Sequence, residues 1–337
     1  VAYSRDGKRC VTSGLDDRIL RLWDARTGEF LAESKEYLKE VRDISFSPDD
    51  NWILTKCNPD VACVWHAKTL NFHFEVKHYG EARARISPDS QYLAAAFEGT
   101  VHLWNIETGK IIGEPMMHSH LVDALAFAPD SKSLITADCG FAFRSWSTAT
   151  AKGLGEPNQL RQPPDAPNIQ HAQCILNDEG TYGITIDRGE GQCWDLTTRN
   201  PVGSSFPCAQ VVEAFSERSE SCLCQIDASR WELRRFNTGE PSGNAKGAEG
   251  MIHSAAFSPD GKRFAFAAKS GAIQVLPLVP GEEKFSLHTS IRNSQIRFSP
   301  DGTRLMLACD DGVRILEIEP GAPKTVQWTS NLDFSSD

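Results

Sequence analysis

The sequence predicts an all-β fold made from eight copies of one four-stranded unit, and two markers that keep phase along the chain carry that reading. The first is a turn, seen as YSRDG at 3–7, FSPDD at 46–50, ISPDS at 86–90, FAPDS at 127–131, FSPDG at 257–261 and FSPDG at 298–302. Two eroded copies, LNDEG at 176–180 and FSERS at 215–219, fill the gap. The fourth letters of successive copies lie 39 to 49 residues apart, and their mean of about 42 is the period of four-stranded β-propeller blades. The second marker is a large apolar residue 15 to 18 positions later: Trp23, Trp65, Trp104, Trp146, Trp194, Phe236, Leu276 and Leu316. The repeats run over approximately 1–36, 37–76, 77–117, 118–165, 166–208, 209–247, 248–288 and 289–328, with a tail at 329–337, and form one propeller domain over 1–337.

Each unit reads as strands in order. In the third repeat, 84–86, 92–97 and 100–104 are short, β-branched or aromatic, and are separated by the turn formers Pro88-Asp89-Ser90 and Glu98-Gly99. Thr-Gly pairs after the Trp slot, at 27–28, 108–109 and 238–239, turn the chain into a fourth, outermost strand, where glycine supplies a positive φ. One sheet cannot cover both of its faces, but radially stacked sheets cover each other. That explains strands apolar on both sides, as in Ile19-Leu20-Arg21-Leu22-Trp23.

With these residues in place, the chain resembles the WD40-repeat family, whose repeats pair an SPDG-like turn with a strand ending in Trp-Asp. Trp23-Asp24 and Trp194-Asp195 match outright; Trp65-His66, Trp104-Asn105 and Trp146-Ser147 keep the tryptophan. The segments at 24–31, 106–115 and 237–243 look like the long bacterial WD40 arrays often attached to Ser/Thr kinase modules, so the resemblance implies a kinase or other module on the same original chain. The kinase Gly-rich loop, HRD and DFG motifs are absent from these residues. The family often stabilises a blade with a hydrogen-bonded His, Ser/Thr, Asp and Trp set. His118 alone is in register for it, and the turn acid six residues before the Trp slot survives as Asp17 and Glu98. Repeats 2, 4, 5 and 6 have Pro59, Gly140, Arg188 and Arg230 there, so few or no complete sets are expected. An eight-bladed ring is the direct count, and a seven-bladed ring plus one extra blade is the alternative.

Composition narrows the function. Hydrophobic residues at 40% and charged at 24% over 337 residues describe a globular chain. A formal charge of -10 disfavours attraction to phosphate backbones and anionic lipid. The ten cysteines include no CxxC pair, so no metal is expected, and they read as reduced packing residues. With no Asn-x-Ser/Thr sequon and no visible signal segment, a cytoplasmic protein is expected. No GxSxG, Walker A, HExxH or strand-linked GxGxxG occurs. The expectation is a noncatalytic scaffold that binds protein or peptide without a cofactor, with a nucleic-acid-associated propeller as the alternative and a propeller enzyme such as a lactonase third.

Loops on a rigid scaffold commonly carry function. The second-to-third-strand turns hold Asp16, Asp17, Asp60, Glu98, Asp138, Asp187, Asp310 and Asp311 against Arg188, Arg230 and Lys269. The 49-residue spacing between repeats 4 and 5 adds a connection with Pro163, Pro164 and Pro167 at the same end. Together they suggest an acidic rim that selects basic segments.

Overall fold

The computed structural model describes residues 1–13, 18–35, 40–57, 61–77, 83–155, 158–159, 173–177, 180–198, 200–208, 210–216, 221–226, 231–242, 252–268, 272–278, 285–288, 295–309, 312–318 and 324–326. Among these there are strands and turns but no helix. The strands form eight antiparallel sheets, each a meander from one contiguous stretch of chain, arranged as a β-propeller.

Among the described residues seven sheets have four strands and the sixth shows three, Gln210–Ser216, Ser221–Gln225 and Trp231–Arg235. Complete four-stranded blades among the described residues therefore number seven, which fits the seven-bladed alternative and does not support the preference for an eight-bladed ring. Pro241 meets Arg234 in an isolated bridge beside the third strand of the sixth sheet, and residues 243–251, which follow it, lie outside the described residues.

The third sheet shows why the sequence folds this way. Arg83–Ile86, Tyr92–Phe97, Thr100–Asn105 and Ile111–Met117 lie side by side in chain order. Along its second strand the side chains alternate between two neighbours. Leu93 and Ala95 pack with Leu54 and Val64 of the second sheet, whereas Ala94 and Ala96 pack with Leu125 and Leu134 of the fourth. The small alanines let the flanking sheets approach closely, and all four residues are buried.

The recurring turn is a small hydrogen-bonded machine. In five copies the serine hydroxyl donates to the aspartate at 2.5–2.7 Å: Ser4 to Asp6, Ser47 to Asp49, Ser87 to Asp89, Ser258 to Asp260 and Ser299 to Asp301. The same serine oxygen accepts the N–H five residues on at 2.9–3.0 Å. This local bonding to backbone is what makes Ser and Asp the favoured letters. The fifth letter has a left-handed backbone in seven copies, at Gly7, Asp50, Ser90, Ser131, Gly180, Gly261 and Gly302. Where it is not glycine, its side chain reaches the preceding sheet. Asp50 accepts the N–H groups of Arg5 and Asp6 at 2.6 and 2.9 Å, Ser90 that of Asp49 at 3.1 Å, and Ser131 that of Asp89 at 3.0 Å.

The core is not central but lies between successive sheets. Its eight apolar clusters include one in which Val1, Cys10 and Ala25 of the first sheet unit pack with Met306 and Ile315 of the eighth. Arg304 Nη1 donates to the Ala25 carbonyl at 3.1 Å, the counterpart of Arg9 Nη1 donating to the Ala67 carbonyl at 3.0 Å. Gly7 lies against the Pro300 ring just as Gly302 lies against Pro259. The nine cysteines whose side chains are described are free thiols, eight of them buried. Burial pushes Cys10 and Cys193 up to about 12, so they pack as neutral groups.

Candidate interaction surface

Antiparallel meanders put the serine–aspartate turns at one end of the propeller. The second-to-third-strand turns and the sheet-to-sheet connections gather at the other. Of the residues expected to form a binding rim there, Asp16, Asp17, Asp60, Arg230, Lys269, Asp310, Asp311, Pro163, Pro164 and Pro167 lie outside the described residues. Glu98, Asp138, Asp187 and Arg188 are described.

Glu98 forms the two-residue hairpin of the third sheet with Gly99, and its side chain is exposed at φ 52°. The fifth sheet pairs Asp187 with Glu190 around Arg188-Gly189, with Arg188 exposed and Asp187 half-buried. Among the described residues, the side chains of Glu98, Asp187, Arg188 and Glu190 make no hydrogen bond or ion pair.

Asp138 corrects the sequence reading: it is wholly buried and belongs to the core. His118 Nδ1 and Asp138 Oδ2 are 2.9 Å apart, His118 Nε2 and Thr136 Oγ1 2.7 Å, and Trp146 Nε1 donates to Thr136 Oγ1 at 2.8 Å. Asp138 Oδ1 accepts the N–H groups of Gly140 and Ala142 at 2.9 and 3.1 Å. Burial alone would raise this carboxyl, but the His118 bond and the backbone donors outweigh it and hold it below its ordinary value. One complete set thus exists where few or none were expected. The acid that completes it ends the second strand, two positions before Gly140, where it was not sought. At Gly140 a side chain would meet the exposed His120 ring, which would have to turn away.

The Trp slot is positioned by the same chemistry. Trp23, Trp65 and Trp194 donate to Thr12, Thr55 and Thr185 at 3.0, 3.0 and 2.8 Å. Trp65 and Trp146 are buried, as are Phe236, Leu276 and Leu316 in the equivalent places, whereas Trp23, Trp104 and Trp194 are only half-buried. Sequence reasoning missed the outer edge, where Phe30 and Phe72 stand about half exposed and stack edge-on against Trp23 and Trp65.

Arg234 is absorbed by structure, with Nη2 2.6 Å from Glu232, Nη1 2.8 Å from the Gly239 carbonyl, and its guanidinium over the Phe206 ring. No group of three or more His, Cys, Asp or Glu side chains among the described residues is placed to hold a metal ion. No helix among them is long and apolar enough to cross a membrane.

These features define a β-propeller built from sequence repeats, with bonded serine–aspartate turns at one end and, at the other, a buried Asp138 beside Glu98 and Arg188 that face solvent. A family model described as WD domain, G-beta repeat matches residues 1–24 and 80–105, which contain Trp23-Asp24 and Trp104-Asn105. The chain is 31% identical over 154 residues to Autophagy-related protein 16 of Arabidopsis thaliana, covering 44% of this chain and 30% of that protein. It is 23% identical over 335 residues to human Apoptotic protease-activating factor 1, covering 91% and 25%. With Eukaryotic translation initiation factor 3 subunit I of Dictyostelium discoideum it shares 24% over 293 residues, covering 82% and 76%. The chain thus spans less than a third of the first two relatives. The crystal structure of the computationally designed Ika8 protein matches with a TM-score of 0.66 over 92% of this chain and 93% of that one; at 17% identity the likeness is one of fold alone. The family-model match at residues 1–24 and 80–105 and these relatives support a WD40-repeat propeller.

Proposed function

We propose that this propeller is a noncatalytic scaffold that binds a protein or peptide at the end bearing the second-to-third-strand turns. The observation that carries the reading is the division of polar groups between the two ends. At the serine–aspartate end the recurring carboxylates are tied to serine hydroxyls and backbone N–H groups. At the opposite end Glu98, Asp187, Arg188 and Glu190 have no such intramolecular use among the described residues. Charged groups left to solvent on a rigid frame steer a partner rather than stabilise the fold. Relatives named for autophagy, apoptotic protease activation and translation initiation are in keeping with an interaction role.

The recurrence of Asp16, Asp17, Asp60, Asp310 and Asp311 at the equivalent sequence positions favours a ligand rich in lysine or arginine. The test is capture of a lysine-rich peptide by the wild type and by a variant carrying Glu98→Lys, Asp187→Lys and Asp311→Lys, at low and high salt. Slower, weaker capture by the variant, with the wild-type advantage shrinking as salt rises, supports the rim. Equal capture at both salt concentrations refutes it.

The ring is further proposed to close through all eight sheets. Support comes from the first and eighth sheets, which repeat the arginine-to-carbonyl and glycine-to-proline contacts of consecutive neighbours. End-on electron-microscopy averages would show eight lobes; seven lobes with an appended unit would overturn closure.

A further inference from the structure

The innermost strands carry a charge arrangement that the fold leaves unbalanced. Asp43, on the first strand of the second sheet, Val41–Phe46, lies 3.0 Å from Lys56 Nζ on the adjacent strand. Burial disfavours ionised Asp43, but Lys56, then Arg297 and Arg85, outweigh that cost and hold its carboxyl below the usual range. Arg85 and Arg297 come from the first strands of the third and eighth sheets, Arg83–Ile86 and Gln295–Phe298. They occupy equivalent positions, each one residue before the Ile or Phe that opens the recurring turn. First strands of neighbouring sheets pack on one another, so they surround the propeller axis, and these two arginines sit toward its serine–aspartate end.

Neither guanidinium has a committed anionic partner. Arg85 Nη1 donates to the Ala84 carbonyl at 3.4 Å and Arg297 Nη1 to the Ile296 carbonyl at 3.0 Å, in each case the carbonyl immediately preceding it. Among the described residues neither forms an ion pair within 4.0 Å. Arg83, by contrast, is 3.4 Å from Asp123. Asp43 already touches Lys56, and the charges of Arg297 and Arg85 act on the same carboxylate. Arg85 and Arg297 are half-buried, where unpaired charge is costlier than at an open surface and an arriving anion is correspondingly better held. Among the described residues the local excess has the opposite sign to the whole chain, whose formal charge is -10.

We infer that the axial channel binds an oxyanion, a carboxylate or phosphate group, received by Arg85 and Arg297 with Lys56 as a supporting cation and Asp43 as its competitor. A guanidinium presents a planar fork of donors that matches either oxyanion. The two sources of that chemistry are a free phosphate compound and the side chains of an acidic peptide. The site stands apart from the turns proposed above to bind a basic segment and does not depend on them.

The test is calorimetric titration of the full chain at low salt with pyrophosphate and, separately, with hexaglutamate. Saturable binding of pyrophosphate alone assigns the site to a phosphate compound, of hexaglutamate alone to an acidic peptide, and of both to the shared oxyanion chemistry. Arg85→Gln and Arg297→Gln should each weaken binding about tenfold, the scale of one charge-assisted hydrogen bond. Asp43→Asn should tighten it, because it removes the competing carboxylate; a merely structural role for Asp43 gives no such gain. Circular dichroism melts verify each variant, and Arg297→Gln gives an independent reading if Arg85→Gln loses the fold. Binding of neither probe, arginine substitutions without effect, or an Asp43→Asn variant that binds no more tightly would overturn the inference.

Discussion

A buried carboxylate is tolerated where its lone pairs are filled, and Asp138 shows how. Its oxygens meet His118 and the N–H groups of Gly140 and Ala142, so ionisation is favoured inside the fourth sheet. Asp138→Asn keeps the shape but gives up charge-assisted bonds, and should lower stability by about 1–3 kcal/mol in denaturant melts at neutral pH. The pH dependence has a definite sign. Because the folded carboxyl lies below its unfolded value of about 3.9, the stabilisation is complete above that value and fades as pH falls through the folded one. The difference between wild type and variant should therefore narrow on acidification. A constant difference from pH 6 to pH 3 would show that Asp138 does not act through its charge. Its role was hidden in the sequence because a turn acid facing solvent and one facing inward are spelled alike. What separates them is His118, 20 positions away in the chain and adjacent only after folding.

The strands themselves were legible: Tyr92–Phe97 and Thr100–Asn105 occupy the positions that alternation and the Glu98-Gly99 turn prescribe. Less legible was how deeply each marker tryptophan sits. Trp65 is buried and donates to Thr55, whereas Trp104 is half-buried and has Ala95 where the other tryptophan-bearing sheets place a threonine. Deleting the indole should accordingly cost about 3–5 kcal/mol for Trp65→Ala, in the range of large core aromatics, and less for Trp104→Ala. Chemical melts of the two variants make the comparison, and equal losses would mean that the missing threonine and the exposure do not matter. The Thr-Gly turn after Phe236 is present with Gly239 at φ 70°, and the outer strand expected beyond it falls largely on 243–247, outside the described residues.

At the scale of the molecule, stability resides in contacts between sheets, so the junction of the eighth with the first can be weighed against an ordinary one. Arg304→Ala removes a donor to Ala25, and Arg9→Ala removes donors to Ala67 and Asp50. Both variants should lower the melting temperature, Arg9→Ala somewhat more. A silent Arg304→Ala beside a harmful Arg9→Ala would mean that the eighth sheet is not seated on the first in solution. Repeat period and marker phase disclosed the architecture from sequence alone; the solvent-facing groups at Glu98 and Arg188 could be ranked only once the turns had been placed.

The hydrogen bonds that join neighbouring turns have a consequence for how such a chain can change. Asp50, Ser90 and Ser131 address backbone N–H groups of the preceding sheet, and Arg9 and Arg304 address backbone carbonyls of the next. Every residue offers a carbonyl and all but proline an N–H, so each join is largely indifferent to which side chains its neighbour carries. Mutational drift in one copy therefore need not be matched by a compensating change in the adjacent one. Copies as worn as LNDEG and FSERS can persist in the array while the exposed turns diversify independently.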